Sequence, residues 1–207
     1  MWLSRRTIPG GVATLVLSTS IWLHCGSARG SLIESERNAM GKERTVAGDS
    51  ILISLGRVGP VQVCDSLGKV NIAFRGYVVR DTVYHAEQSR WPGKRVFLSD
   101  GIIEFSTSWA DTGRVWNIST TSPSVRSPRG FHVGMRLGEV LRVDSVTVDL
   151  PEGAVVLTLA REGIGALIDR RSQEQFYGAY KFKGTPTVAM LNPDATITAL
   201  VTGGACK

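Results

Sequence analysis

Gly130-Phe131-His132-Val133-Gly134-Met135-Arg136-Leu137-Gly138-Glu139-Val140 is the stretch on which the reading of this chain turns. Phe131 and Val133 alternate as at the end of a strand, and Gly134 permits a sharp turn. Leu137, Val140 and Leu141 then fall on one face of a short helix. The spacing predicts a strand-to-helix elbow. It carries no nucleophile, base or metal-binding set, so it speaks to architecture and not to chemistry.

The same pattern stands earlier in the chain. Val63-Cys64-Asp65-Ser66-Leu67-Gly68-Lys69-Val70 matches Val133 to Val140 at Val, Leu, Gly and Val, an offset of 133 − 63 = 70. Four identities in eight arise by chance in a chain of this length, and the weight comes from context. Each copy follows a Gly/Pro turn, Gly59-Pro60 or Pro128-Arg129-Gly130, and precedes long β-type runs. The expectation is an α+β fold of two tandem modules, each a short helix packed on an antiparallel meander sheet, at residues 50–122 and 123–207.

The amino terminus reads as an export signal. Arg5 and Arg6 precede an apolar segment from Val12 to Leu23 and small residues at Gly26-Ser27-Ala28, which predicts a signal peptide over residues 1–28. The apolar segment is well short of the roughly 20 residues that span a bilayer, so no stable membrane span is expected. Lipidation at Cys25 is disfavoured by the bulky His24 before it. Residues 29–49 are polar, without an apolar period, and read as a flexible leader. Cleavage removes two arginines and leaves a modestly basic chain, too dispersed in charge for nucleic acid. The expected location is secreted or periplasmic.

Cys64 and Cys206 remain after cleavage, and an even count in an oxidising compartment predicts one disulfide between them. Further along, Arg95-Val96-Phe97-Leu98, the hairpin turn Asp100-Gly101 and the alternation of Ile103, Phe105, Thr107 and Trp109 predict a meander. The turn Asp111-Thr112-Gly113 leads to a strand over Arg114–Ser119. The region from Tyr77 to Lys94 is hard to assign. Thr120–Arg129, rich in Ser and Pro, is the expected boundary. Strands are expected within Val143–Leu150, Ala154–Ala160, Ile164–Ile168, Val188–Leu191 and Thr196–Val201.

Several chemistries are set aside. Gly184-Thr185-Pro186 resembles the proline loop of thioredoxin-like proteins, but no Cys-x-x-Cys pair accompanies it. No Gly-x-Ser-x-Gly elbow or phosphate loop is present, and His85 and His132 have no identifiable base or orienting partner. Asp65, Glu104, Asp111 and Glu139 read as solvated turn and surface carboxylates. No cofactor and no metal site is expected.

The elbow, Val133-Gly134-Met135 followed by Leu137 and Glu139-Val140-Leu141, resembles the helix opening of SmpA/OmlA-type outer-membrane assembly lipoproteins and of the β-lactamase inhibitor protein. The resemblance implies a binding or scaffold module with a repeated helix-plus-antiparallel-sheet unit, and it transfers no site residues. The expected function is an exported, non-enzymatic binding module of the bacterial cell envelope that meets a protein partner. A structural envelope component and an enzyme of unrecognised type are the alternatives. Candidate contacts are Trp109 with Arg114, and the aromatic and basic stretch with Phe176, Tyr177, Tyr180 and Lys181. Trp116, beside Val115 and Ile118, is expected in the core.

Overall fold

In the computed structural model the described residues are 51–86, 89–151, 154–181, 184–204 and 206. The expected signal peptide, the leader, Cys25, Phe182, Lys183 and most of the turn at Pro151-Glu152-Gly153 lie outside them. The described chain opens with three short strands, β1 (Ile53–Ser54), β2 (Arg57–Val58) and β3 (Val61–Gln62), in a small antiparallel sheet. Gly56 and Gly59, with φ of 67° and 53°, make its two turns. Helix α1 (Lys69–Ala73) follows, burying Val70, and Phe74 just beyond it lies 5.6 Å from the ring of Phe105.

Next come β4 (Val78–Ala86), β5 (Ser89–Phe97), β6 (Ile102–Ser106) and β7 (Asn117–Thr120), with β5, β6 and β7 each pairing antiparallel with the strand before it. Past the second elbow, α2 (Leu137–Val140) leads to β8 (Val146–Asp149), β9 (Val156–Leu159) and β10 (Ile164–Ile168). Helix α3 (Arg170–Tyr180), a 3-10 turn at Val188–Met190 and β11 (Ile197–Gly203) complete the order. The result is one eight-stranded antiparallel sheet, β4-β5-β6-β7-β11-β10-β9-β8, in which two four-stranded meanders meet where β7 pairs with β11.

The core lies on one face of that sheet. Period-2 alternation buries Ile103 and Phe105 on β6, Leu157 and Leu159 on β9, and Ile164, Ala166 and Ile168 on β10. They join one apolar cluster with Ile53, Val58, Val61, Val70, Leu137 and Val140 from the small sheet and the two short helices. Burial of each large aliphatic side chain stabilises by about 1.5–3 kcal/mol.

The two elbows are held alike. Cys64 N donates to Val115 O at 2.7 Å and Val115 N to Asp65 O at 2.9 Å. At the second elbow Gly134 N donates to Ile197 O at 2.8 Å and Ile197 N to Met135 O at 2.9 Å. Both turn residues are left-handed, Cys64 at φ 74° and Gly134 at φ 95°. The disulfide joins Cys64 to Cys206, with Cα atoms 5.4 Å apart, and so fastens the end of the chain to the first elbow.

The structure departs from the sequence expectations at named places. The ambiguous region from Tyr77 to Lys94 is the longest hairpin in the sheet, β4 with β5. The aromatic and basic stretch with Phe176, Tyr177 and Tyr180 is helical, as α3: the Asp169 carboxylate accepts from Ser172 N at 2.9 Å and caps it. Val188–Leu191 is a 3-10 turn rather than a strand. Phe131 and Val133 are not in a strand, and Leu141 is exposed because α2 ends one residue before it. The Thr120–Arg129 loop is bound to its surroundings, with Ser124 N donating to Asp100 at 2.9 Å and Ile53 N to Arg126 O at 2.8 Å.

Candidate functional site

The segment from Thr107 to Trp116 builds the most exposed aromatic surface in the described chain. Sheet pairing of β6 with β7 ends at Ser106 and Asn117. Thr107, buried, donates through Oγ1 to Pro92 O at 2.8 Å. Beyond it Asp111 N donates to Ser108 Oγ and Gly113 N to Asp111 Oδ1, both at 2.9 Å, so the loop is a tight, self-bonded turn. Trp109 stands on that turn and is 76% exposed. Arg114 follows on the same loop, its Nε 3.9 Å from Asp111 Oδ2. The alternation of Ile103 and Phe105 therefore does not extend to Trp109. Trp116 is 42% exposed, not core, because Val115 takes the inward position when it bonds to the elbow at Cys64 and Asp65.

The second group of expected contacts faces the other way. Phe176 is buried in the core cluster, so it is a packing residue and not a contact. Its ring stacks on Tyr180 at 5.4 Å and meets Tyr177 edge-on at 5.6 Å. Both tyrosines pack against the core, and burial pushes the Tyr177 phenol up. Tyr180 donates its hydroxyl to Gly184 O at 2.8 Å. Lys181 is exposed and ends α3 in a left-handed conformation, φ 47°. The structure thus brings Trp109 and Arg114 together on one loop and turns Phe176, Tyr177 and Tyr180 inward on another element.

The ionisable groups form separate local pairs. Asp65 accepts from Gln62 N and Lys69 Nζ, each at 2.8 Å; burial would raise its carboxyl, but these two donors hold it below the usual range. Glu104 bonds Arg95 at 2.7 Å across β5 and β6, beside the enclosed hydroxyl of Tyr84, whose phenol burial pushes up. Glu139 Oε2 accepts from Arg136 N at 2.9 Å at the start of α2. Asp144, fully enclosed, accepts from Ser145 N at 2.7 Å, while Glu162 accepts from Arg129 N at 3.0 Å and Ser127 Oγ at 3.2 Å. Lys94, buried on the core face, pairs with Asp81. His132 Nδ1 lies 3.1 Å from Gly130 O.

Among the described residues no three His, Cys, Asp or Glu side chains are grouped to hold a metal ion. An open depression of about 300 Å³ is lined by Arg136, Gly138, Glu139, Arg142, Pro193 and Asp194, with Arg136 already paired to Asp194 at 3.3 Å. Among the described residues no helix is long and apolar enough to cross a membrane. The disulfide fits an extracellular or periplasmic protein.

No protein-family model matches the sequence, and no curated protein matches it. Among solved structures the chain is similar to the uncharacterised protein YfeY from Escherichia coli, with a TM-score of 0.51. The likeness covers 75% of this chain and 100% of that one at 12% identity, so it concerns the fold alone.

Proposed function

We propose that this chain is an exported, non-catalytic binding protein made of two tandem copies of one helix-plus-meander unit, residues 50–122 and 123–207, which together present a contact surface to a protein partner in the bacterial envelope. The matched elbow bonds support the tandem reading, since Val115 and Ile197 play the same part 82 residues apart. The seam supports it too. Ile118 pairs with Thr202, Ser119 with Val201 and Thr120 with Leu200. Exchanging each residue of β7 with the one 82 positions further on maps these three pairs onto themselves, as a two-fold axis through Ser119 and Val201 would.

The observation that carries the binding reading is Trp109, an indole held out in water on a rigid turn beside Arg114. Trp and Arg on a preorganised loop supply contact area with little ordering entropy to lose. The test is capture of envelope proteins by the mature chain, followed by calorimetric titration of the enriched protein after purification. Saturable binding at fixed stoichiometry supports the reading. Failure of every enriched protein to bind in purified form would sink it.

A further inference from the structure

We propose that the face of the first unit beside Trp109 receives a helix, acidic at its first turn, from the protein partner, in the place that α3 holds in the second unit. This rests on the two-unit reading above and specifies the partner surface.

The strand registers give the correspondence. Ile118 pairs with Phe105 as Leu200 pairs with Ala166, so Thr107 matches Ile168, the last residue of β10. From that point the second unit takes residues 169–196 to build α3 and the 3-10 turn before returning at Ile197. The first unit takes only residues 108–114 before returning at Val115, and that segment is the turn that carries Trp109. The same registers match Lys94 with Leu157, Pro92 with Val155 and Asp81 with Val148.

In the second unit these positions are covered. Phe176 joins Val148, Val155 and Leu157 in the core, and Gln173 Nε2 donates to Ile168 O at 2.8 Å. In the first unit no helix among the described residues follows β6, and although Thr107 and Lys94 are buried and Pro92 is half-buried, the end of this face at Val83 stays open. Val83, paired across from Pro92, is 54% exposed, and Trp109 stands out past the end of β6. Thr107 fastens that end to Pro92, so Val83 and Pro92 make an apolar shelf where the long hairpin runs past the end of β6, and Trp109 stands two residues beyond Thr107.

The charge at one end of the shelf sets the polarity of what binds. In the second unit Thr196 N donates to the α3 cap, Asp169, at 2.9 Å. The match of Thr196 is Arg114, bridged to Ser66 as Thr196 is to Arg136. Arg114 presents an exposed guanidinium whose nearest carboxylate, Asp111, is 3.9 Å away. An Asp or Glu in the first turn of an incoming helix answers both the Arg114 amide and its guanidinium, as Asp169 answers Thr196. Arg90, exposed on the same strand face as Pro92, extends the preference for an acidic helix.

The test uses the full mature chain and a synthetic peptide, residues 169–181 with Arg170→Glu and Arg171→Glu, locked as a helix by a hydrocarbon crosslink away from Phe176. Calorimetry should give saturable one-to-one binding with Kd below about 100 μM. Trp109→Ala and Arg114→Glu should each weaken it by about tenfold or more, and so should restoring the two arginines of the peptide. Both variants should melt within about 2 °C of the parent, since neither side chain is packed. No binding, or binding that survives both variants because the peptide has displaced α3 instead, overturns the proposal. So does a chain that sediments as a dimer with Trp109 shielded, which would make a second copy the occupant. A purified partner whose binding is untouched by the two variants removes the helix site while leaving the binding-module reading in place.

Discussion

The elbows at Cys64 and Gly134 turn the chain through the same left-handed corner with different residues. Gly134 reaches φ 95° without steric cost, whereas Cys64 at φ 74° occupies a conformation that disfavours side chains by roughly 1–2 kcal/mol. The first elbow tolerates this because its side chain is tied to Cys206. A similar contrast runs through the meanders. The second is filled with Val148, Leu157 and Phe176, while the first has Asp81 and Lys94 at the matching strand positions and leaves Val83 and Trp109 in water. The lesson is that two similarly bonded elbows lead to differently closed meanders: apolar packing closes the second, and a covalent tether and an ion pair serve the first, where an apolar surface stays open.

Breaking the tether should have the largest effect. A disulfide closing a loop with a separation of 142 residues stabilises by about 4–5 kcal/mol on chain entropy, so Cys64→Ala with Cys206→Ala should lower Tm by roughly 10–20 °C. Calorimetric scans of the variant beside the oxidised parent check it. A fall of only a degree or two would mean that the elbow bonds to Val115 hold the end of the chain unaided. Next comes Phe176→Ala, which should cost about 3–5 kcal/mol in urea unfolding because it opens a cavity beneath α3. A loss confined to less than 1 kcal/mol would show that the second half is less closed than its packing implies.

Much of this arrangement was legible in the sequence wherever a local rule acted alone. Asp100-Gly101 forms its hairpin, with Leu98 N donating to Gly101 O at 2.9 Å, and Cys64 is bridged to Cys206. β5 was obscure because Trp91-Pro92-Gly93-Lys94 is poor strand sequence, and only tertiary pairing makes it one. Pro92 has no N–H to offer, but its carbonyl accepts from Thr107. Gly93 is required by the Tyr84 ring lying over it, since a Cβ there would sit 2.3 Å from Tyr84 Cε2. Helix α3 had a signal, Asp169 and Ser172 at a capping spacing with Phe176 and Tyr180 four apart, but the surrounding Arg, Lys and Tyr mixture masked it. The candidate site was half visible: an exposed Trp109 follows from the Asp111 turn, whereas the inward turn of Phe176 depends on a helix that composition did not suggest.

The elbow contrast can be sharpened directly. In a Cys206→Ser background, Cys64→Gly should be more stable than Cys64→Ala by about 1 kcal/mol, since only glycine relaxes at φ 74°. Gly134→Ala should lose about 1–2 kcal/mol, although the space around it is open, because the penalty is in the backbone. Equal stability of Cys64→Gly and Cys64→Ala would mean that the first elbow relaxes once the tether is gone.

The caps respond to acid. Burial would raise the carboxyl of Asp169, but Thr196 N, Ser172 N and Ser172 Oγ hold it below the usual carboxylate range. A depressed carboxyl contributes stability that is present above the ordinary Asp value, about 3.9, and is lost as pH falls through the lower folded value. Replacing Asp169 by Asn should therefore flatten the stability curve below about pH 4 and cost about 1 kcal/mol at neutral pH. An acid limb that stays as steep in the variant as in the parent would assign that loss to other carboxylates, Asp65 first among them.

The smallest expected effect belongs to the exchange that makes the first meander resemble the second. Lys94 is almost enclosed, while Asp81, its partner, is 85% exposed, so the pair has water on one side only and little net worth. Asp81→Val alone leaves the ammonium without its carboxylate on the core face and should cost about 1–3 kcal/mol. Adding Lys94→Leu removes the stranded charge and supplies the Val and Leu found at the matching positions of β8 and β9, so the double variant should return to within about 1 kcal/mol of the parent. Urea unfolding of the two single variants and the double gives the coupling between the sites directly. If the double variant is no better than Asp81→Val, the first meander lacks the space that closes around Leu157 in the second, and the ion pair is there because the uncovered shelf beside Val83 admits water to that end of the sheet.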